Sequence, residues 1–393
     1  MIKTKIHLDH IPDPETFYKD YWGKQAFIVK NALKDCDFDH LISGDELAGL
    51  ALEEDVQSRI VRTAHDNKSW HCANGPFEEA VFQDLGEKNW SLLVQNCDRF
   101  HPPTAELLKS FNFSPRWLLD DIMVSFSAPG GSVGPHIDSY HVFLIQGQGK
   151  RRWKIGFEPI LNEEYIEDID LKVLKHDFNG EETELTCGDL IYIPPFVPHE
   201  GVTLENALTY SVGFLGPSVS ELMIEYGHFL AERDQNEQRY TASSLCSQSH
   251  GFKLCQNTIE DIQKTLVDSL QSDDFYIWLA GFFSAPRLDD SYEEPETLSS
   301  DQILIFLKSG GALYRPEEFK LTITPHNTKK DCLNVGIEGH VFQSPASQQK
   351  LLELLITGAN INAIALEKLP QTQQSLEIIT KLYNARYLHR VAA

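Results

Sequence analysis

Three side chains near the middle of the chain could together bind a transition metal. His136-Ile137-Asp138 follows the glycine-rich run PGGSVGP. On a strand, side chains two residues apart point to the same face, so His136 and Asp138 could both reach one ion. His199, in IYIPPFVPHEG at the end of a later predicted strand, could supply the third ligand. A face of two imidazoles and one carboxylate is typical of non-haem iron(II), and it leaves positions open for a bidentate co-substrate and O₂.

The His-x-Asp pattern is weak by itself. A chain of 393 residues with 15 histidines contains about one such pair by chance. A second pair, His7-Leu8-Asp9, lies near the N-terminus without a glycine-rich approach, and we interpret it as noise. Context favours the pair at His136, because predicted strands flank it and His199 follows a strand that ends in Pro-Pro.

An oxygenase with such a metal site also needs a cation for the far carboxylate of 2-oxoglutarate. Lys150, Arg151 and Arg152 begin the predicted strand KRRWKIG. Alternation allows either Arg151 alone, or Lys150 and Arg152 together, to face inward. Arginine is well suited, because its planar fork binds a carboxylate through two parallel hydrogen bonds. A basic surface cluster is the competing interpretation.

Short β segments punctuated by Gly and Pro dominate residues 121–216, whereas residues 1–120 read as mixed helix and loop. The predicted strands are IMVSFSAP, HVFLIQG, KRRWKIG, DLIYIPP and LTYSVGFLG. In the first of these, alternation places Ser125 and Ser127 on one face and Val124 and Phe126 on the other. Strands at this spacing indicate an all-β sandwich or barrel.

Helical apolar spacing follows Gly216-Pro217 in SELMIEYGHFLAERD and TIEDIQKTLVDSL. The apolar run DDFYIWLAGFF needs a partner surface, either within the chain or across a dimer. The segment SAPRLDDSYEEPET then reads as a linker. The remainder combines helices with the strand pair FKLTIT and HVFQS, which is compatible with a winged-helix-like module.

Charge and cysteine content narrow the class of protein. The net charge is −24, and residues 291–393 contribute −1 of it (10 Lys and Arg, 11 Asp and Glu), so residues 1–290 carry −23. A field of that sign repels nucleic acid and attracts basic partners, although plain solubility explains it equally well. The seven cysteines include no CxxC pair and indicate reduced thiols in a cytoplasm. No apolar run approaches the ~20 residues that span a bilayer.

The run SFSAPGGSVGPHIDSYHVFLIQGQGKRRWKIG, with DLIYIPPFVPHEG and YSVGFLGP, resembles the JmjC-type, cupin-like bacterial ribosomal oxygenases. Members of that family hydroxylate an arginine of the large-subunit ribosomal protein L-sixteen. The resemblance implies an α+β chain with a double-stranded β-helix (jelly-roll) JmjC domain over residues 1–218. It further implies a helical dimerisation segment over 219–290, and thus a homodimer, and a winged-helix-like domain over 291–393.

The resemblance also implies roles for individual residues. His136, Asp138 and His199 would bind iron(II), with 2-oxoglutarate and O₂ as co-substrates. Arg151 would bind the distal carboxylate of 2-oxoglutarate, with Ser127 on the neighbouring strand assisting, which selects Arg151 from the three basic residues.

The implied reaction is hydroxylation at the β-carbon of the target arginine. The acidic first 290 residues suit a basic ribosomal protein as the substrate. Tyr140 continues the face of His136 and Asp138 by the two-residue period and is a candidate wall for the substrate side chain. Ser211, in LTYSVGF, is another candidate. Both are equally compatible with a packing role.

Three alternatives stay open at this point. One is a JmjC oxygenase that acts on another residue or protein, such as a histidine hydroxylase or a lysine demethylase. Another is an acidic, non-catalytic adaptor that keeps the barrel without turnover. A DNA-binding regulator is disfavoured by the charge of the chain.

Overall fold

The computed structural model describes residues 6–63, 70–233, 239–241, 252–286 and 297–391. The chain divides into two compact units, Met1–Gly216 and Pro217–Ala393. None of the helices in the described ranges combines the length and hydrophobicity that a membrane crossing requires. Most of the predicted linker, residues 287–296, lies outside the described residues. The bounds of the three predicted domains therefore stay predictions.

The strands of the first unit form two sheets. Their bounds are β1 His7–Leu8, β2 Phe27–Val29, β3 Ser58–Thr63, β4 Trp70–Asn74, β5 Trp90–Val94, β6 Leu119–Ser127, β7 His141–Gln148, β8 Arg151–Gly156, β9 Gly180–Leu185, β10 Leu190–Ile193, β11 His199–Thr203 and β12 Ala207–Phe214. The larger sheet has the order β1-β2-β10-β7-β12-β6-β5-β3-β4, and the smaller has the order β11-β8-β9. All of these pairs are antiparallel except β1 with β2.

The five strands predicted within residues 121–216 are present as β6, β7, β8, β10 and β12. The prediction of mixed helix and loop for residues 1–120 is wrong in part, because β3, β4 and β5 extend the larger sheet. These strands have only five or six residues each, so local periodicity gave little signal. The short helices of this unit are α1 Pro14–Thr16, α2 Gly44–Leu50, α3 Glu79–Gln83, α4 Cys97–Phe100 and α5 Pro102–Ala105.

The larger sheet separates two apolar layers by simple alternation along its strands. In β7, Phe143 and Ile145 belong to the core that lies against the N-terminal helices. Val142 and Leu144 point to the opposite face and pack with β8, β9 and β10 neighbours between the two sheets. Phe17 anchors the first core through ring contacts with Phe27, Phe143 and Tyr192. Aromatic burial of this kind is among the largest contributions a single side chain makes to a core.

The glycine-rich loop between β6 and β7 lies flat against β11. Gly130 N donates to Thr203 O at 2.8 Å, and Thr203 N donates to Gly131 O at 3.1 Å. A Cβ atom at Gly131 would lie 2.2 Å from the backbone oxygen of Trp90, so only glycine fits there without a shift of backbone. Gly130 adopts a φ of +82°, which favours glycine as well.

The second unit contains helices and two small sheets. Its helices are α6 Val219–Arg233, α7 Gln256–Leu270, α8 Asp273–Ser284, α9 Ser300–Lys308, α10 Gln349–Thr357, α11 Ala363–Glu367 and α12 Thr372–Asn384. Its strands are β13 Leu313–Tyr314, β14 Leu321–Pro325, β15 Cys332–Ile337, β16 His340–Pro345 and β17 His389–Arg390. The two predicted strands FKLTIT and HVFQS do not pair directly, because β15 lies between them. Asn334 and Gly336 make β15 a weak strand by sequence.

Helix α8, the run DDFYIWLAGFF, finds a partner surface within the chain. It packs on β14, β15 and β16, and Thr324 Oγ1 donates to Tyr276 O at 2.8 Å. A Cβ atom at Gly336 would lie 2.0 Å from Ala280 O, so the glycine permits the close approach of helix and strand.

We expect Gly131→Ala to destabilise the first unit, since the added methyl group meets backbone and cannot be accommodated by a side-chain rotation. The expected loss is about 1–3 kcal/mol of unfolding free energy, as for other overpacked sites. Urea denaturation followed by circular dichroism measures it. Gly49→Ala in α2 is the matched control, because nothing lies within 4 Å of its added Cβ. Alanine should be neutral or stabilising there, and equal losses in both variants would contradict the prediction.

Candidate active site

The two histidines are brought together by direct backbone pairing. His136 N donates to His199 O at 3.0 Å, and His199 N donates to His136 O at 2.9 Å. Residues paired in this way carry their side chains on the same face, and the two imidazole centroids lie 4.2 Å apart. Asp138, two residues along, places Oδ2 at 3.5 Å from His199 Nε2. One ligand atom from each of the three residues falls within 4.8 Å of the others, close enough for one ion.

Backbone carbonyls fix which ring nitrogen of each histidine faces the site. His136 Nδ1 lies 2.9 Å from Gly134 O, and His199 Nδ1 lies 3.1 Å from Val197 O. A carbonyl oxygen only accepts, so each Nδ1 carries the proton and each Nε2 keeps its lone pair for a metal. Burial, together with the neighbouring His136, lowers the pKa of His199 to about 4. The His199 imidazole is therefore neutral at pH 7, as a metal ligand must be.

A left-handed turn at Phe196 holds the backbone of Asp138 in place. Phe196 has a φ of +65°, which is unusual for a residue with a side chain. In this conformation Phe196 N donates to Asp138 O at 2.7 Å. The turn leads from β10 into β11, which begins at His199. The backbone of Asp138 is thus tied to the same segment that delivers His199.

Arg151 is buried beside the metal ligands without a carboxylate partner. Its side chain is 4% exposed, and no Asp or Glu within the described ranges forms an ion pair with it. Nη1 lies 3.4 Å from Thr209 Oγ1 and Nη2 lies 3.4 Å from Gly201 O, while Nε has no partner. Burial lowers the pKa of Arg151 to about 10, so the guanidinium stays charged at pH 7. A buried cation with unused donors fits an anionic ligand.

The triad and Arg151 open into one cavity of 460 Å³, a size typical of small-molecule sites. Four hydroxyl groups of the larger sheet line it on one side. These belong to Ser91, Ser125, Thr209 and Ser211. Asp170, Leu171 and Lys172 border it from the segment between β8 and β9. The sheet side of the cavity therefore combines these hydroxyls with the apolar side chains of Leu93, Met123 and Leu144, and a cation and a metal-binding face lie within the cavity.

Burial along β8 shows which of Lys150, Arg151 and Arg152 faces the cavity. Arg151 is buried, whereas Arg152 is exposed to solvent, and Lys150 Nζ lies 3.5 Å from Glu205 Oε1. Trp153 follows Arg151 on the same face, and the guanidinium carbon lies 4.9 Å from the centre of its ring. The structure thus brings Arg151, and not the other two, to the cavity.

The remaining predicted residues lie at or next to the cavity. Tyr140 and Ser211 line it. Ser127 is fully buried and is not among the lining residues; its Oγ donates to Ser91 Oγ at 2.7 Å, and Ser91 lines the cavity. Sequence reasoning missed Ser91 and Thr209. Thr209 shares a strand face with Ser211, which was the available signal, but the position of Ser91 depends on the pairing of β5 with β6.

The second His-x-Asp pair lies elsewhere. His7 belongs to the two-residue strand β1, and its Nε2 lies 3.5 Å from Glu181 Oε1 on a partly exposed surface. Across the described ranges, the group at His136 is the one whose geometry would hold an ion.

Comparison with known proteins places this fold and site in a class. The JmjC domain family matches residues 106–222. The ribosomal protein uL16 3-hydroxylase of Escherichia coli is 38% identical over 301 residues, which are 76% of this chain and 79% of that protein. A probable ribosomal oxygenase of Haemophilus influenzae is 34% identical over 302 residues, covering 75% of this chain and 72% of that protein.

Solved structures agree with these relatives. YcfD, a ribosomal oxygenase from Escherichia coli in complex with cobalt and 2-oxoglutarate, has a TM-score of 0.79 at 32% identity, covering 96% of this chain and 98% of that chain. The fold is therefore a JmjC, cupin-like fold, and the JmjC match includes the group of two histidines and one carboxylate. The chain belongs to the ribosomal oxygenase family of JmjC proteins.

We expect His136→Ala to abolish tight metal binding, because it removes one of three ligand atoms. Isothermal titration with Mn²⁺ measures this, and the affinity should fall by about 100-fold or more, beyond the effect of losing a group that only orients a ligand. His7→Ala is the matched control, since it disrupts the other His-x-Asp pair and should leave Mn²⁺ affinity unchanged. Similar losses in both variants would show that the ion binds elsewhere.

Proposed function

We propose that this protein is an iron(II)- and 2-oxoglutarate-dependent oxygenase that hydroxylates the β-carbon of an arginine in the large-subunit ribosomal protein uL16. The observation that carries the proposal is the arrangement of one metal-binding face and one unpaired, buried arginine in the same cavity. The relation to the uL16 3-hydroxylase of Escherichia coli supports the choice of substrate. The complex of YcfD with cobalt and 2-oxoglutarate supports the choice of co-substrate.

The donor set fits iron(II), since imidazole and carboxylate ligands in a facial arrangement leave coordination positions free. His136, Asp138 and His199 would hold the ion through two Nε2 atoms and one carboxylate oxygen. Bound iron(II), with 2-oxoglutarate and O₂, supplies an oxidant strong enough to hydroxylate an unactivated C–H bond. The protein contributes the orientation of the ligands, through the carbonyls of Gly134 and Val197, and a cavity that limits access of water.

Arg151 would bind the distal carboxylate of 2-oxoglutarate. Its Nε has no partner, and its two hydrogen bonds are long, so it has donors available for a bidentate pair. Ser127 would assist through Ser91, because its hydroxyl donates to Ser91 and so leaves the Ser91 proton free to point into the cavity. Both assignments are part of the proposal.

Negative charge around Tyr140 supports a cationic substrate side chain. Burial is the main cause that raises the pKa of Tyr140; the carboxylates of Asp138, Asp121 and Asp120 raise it further, and Arg59 lowers it. The three carboxylates favour a guanidinium at the cavity wall. Tyr140 and Ser211 would form that wall, and the charge of −23 on residues 1–290 would attract a basic ribosomal protein over longer distances.

We expect large-subunit ribosomal proteins from cells that contain this protein to include one, uL16, that is heavier by one oxygen atom. Deletion of the gene should remove that mass. Intact-mass spectrometry measures both, and fragmentation places the added oxygen on the β-carbon of an arginine. Complementation with wild type should restore the modification, and complementation with His136→Ala should not.

Each alternative predicts a different result in the same experiment. An added oxygen on a histidine would identify a histidine hydroxylase, and a loss of methyl groups from lysine would identify a demethylase. Identical masses with and without the gene, together with no conversion of 2-oxoglutarate to succinate by the purified protein, would favour a non-catalytic adaptor.

We further propose that the chain forms a homodimer through the helices between residues 219 and 290. Exposed apolar side chains on α6 and α7 support this proposal, because monomers rarely leave such patches uncovered. They are Val219, Met223, Ile224, Ile259, Leu266 and Val267. We also propose that residues 291–393 form a winged-helix-like domain, because a three-stranded antiparallel sheet there adjoins helices. The proposed ribosomal substrate supports a cytoplasmic location.

We expect Met223→Glu to convert a dimer into a monomer, because a charge buried in an apolar interface carries a large desolvation cost. Multi-angle light scattering at micromolar concentration measures the mass. Ile356→Glu in α10 is the matched control, since Ile356 is 46% exposed and Met223 is 50% exposed. A monomeric wild type, or a dimer that persists in Met223→Glu, would contradict the proposed interface.

A further inference from the structure

A buried amide lies behind Arg151 and has its orientation fixed. Gln146 of β7 is fully buried. Its Nε2 donates to Gln148 O at 2.7 Å and to Leu208 O at 3.3 Å. Both amide protons are therefore used by backbone carbonyls. The amide cannot flip without placing its oxygen against those two carbonyls, so Oε1 is held facing Thr209 as an acceptor.

The fixed amide determines how the hydroxyl of Thr209 points. Thr209 Oγ1 donates to Gln146 Oε1 at 3.4 Å. A threonine hydroxyl has one proton, so a proton directed at Gln146 leaves the oxygen lone pairs for other donors. Arg151 Nη1 lies 3.4 Å from the same oxygen and donates to it. Two consecutive hydrogen bonds thus connect Gln146, through Thr209, to the guanidinium of Arg151.

The opposite side of the guanidinium is held by the smaller sheet. Arg151 Nη2 donates to Gly201 O at 3.4 Å, and the ring of Trp153 lies against the guanidinium plane. A Cβ atom at Gly201 would lie 2.7 Å from Arg151 Nε, so glycine keeps that edge clear. Of the five N–H groups of an arginine, these two hydrogen bonds use two. The remaining donors include the Nε–H group.

We infer that Gln146 and Thr209 are positioning residues that orient Arg151 for the distal carboxylate of the co-substrate. This inference rests on the proposed function. Because Gln146 takes the Thr209 proton, Thr209 presents an acceptor to Arg151, and the guanidinium turns its free donors toward the cavity. Without the amide, the Thr209 hydroxyl can rotate, and the guanidinium loses one of its two anchors. Affinity for a ligand that lacks the distal carboxylate does not depend on this contact.

The test compares two co-substrate analogues on the full-length protein loaded with Mn²⁺, which avoids turnover. 2-Oxoglutarate carries the distal carboxylate, and 2-oxopentanoate replaces it with a methyl group. Isothermal titration gives the dissociation constant of each for wild type, Thr209→Val, Thr209→Ser and Gln146→Met. Thr209→Val is nearly isosteric, Thr209→Ser keeps the hydroxyl, and Gln146→Met removes the amide at similar volume.

We expect Thr209→Val and Gln146→Met to weaken 2-oxoglutarate by about tenfold, the effect of losing one hydrogen bond to a charged group. Binding of 2-oxopentanoate should change less than about twofold, and Thr209→Ser should bind 2-oxoglutarate as wild type does. In steady-state assays of the iron(II) enzyme, KM for 2-oxoglutarate should rise more than kcat falls, because the distal end is bound equally in the ground and transition states.

The binding measurements separate a failure of the positioning role from a failure of the proposed function. Unchanged 2-oxoglutarate affinity in Thr209→Val would overturn the positioning role and leave the proposed function intact. Equal losses for both analogues would also overturn it, since they would indicate a general disturbance of the cavity. A wild-type protein that fails to bind 2-oxoglutarate at all would overturn the proposed function itself.

Discussion

The reciprocal backbone pairing of His136 with His199 is the contact on which the site depends. It joins a loop of the larger sheet to the first residue of β11 in the smaller sheet, at the point where the two sheets approach each other. The same loop pairs with β11 again through Gly130, Gly131 and Thr203. Glycines are needed because side chains there would meet backbone. The positions of both imidazoles therefore follow from strand pairing rather than from side-chain packing.

Two buried arginines show how the structure separates a structural cation from one kept for a ligand. Arg315 in the second unit donates to three backbone carbonyls at 2.6 Å and to Glu317 at 3.4 Å. Arg151 makes two long hydrogen bonds, has an unpaired Nε, and has no carboxylate partner among the described residues. An unsatisfied buried charge lowers stability. An unpaired buried arginine of this kind is expected at a site that binds an anion, because the bound anion then pairs with the charge.

The sequence led us to expect His136, Asp138 and His199 in one group, and the structure places them close enough for one ion. The two-residue period left open whether Arg151, or Lys150 with Arg152, faces inward, and the family resemblance selected Arg151. The two-residue period places His136 and Asp138 together and separates Arg151 from its neighbours. Ser91 and Gln146 could not be obtained in this way, whereas the face that Thr209 shares with Ser211 was an available signal. The positions of Ser91 and Gln146 relative to Arg151 depend on sheet order, which leaves no trace in local periodicity. Strands β3–β5 were missed because each has only five or six residues. Helices α6 and α7 were predicted from the apolar spacing of SELMIEYGHFLAERD and TIEDIQKTLVDSL.

The two faces of the larger sheet have different roles. One face packs in the aromatic core, and the other carries hydroxyl groups that line the cavity. In β12, Tyr210 and Val212 enter the aromatic core, and Thr209 and Ser211 point to the cavity. A register slip of one residue would exchange the two sets, so the core that stabilises the unit also fixes the register of the site. Because the core face supplies most of the apolar burial, a change of a hydroxyl on the other face costs the unit less stability. A substitution at a cavity position can therefore alter ligand binding while the fold that holds His136, Asp138 and His199 stays intact.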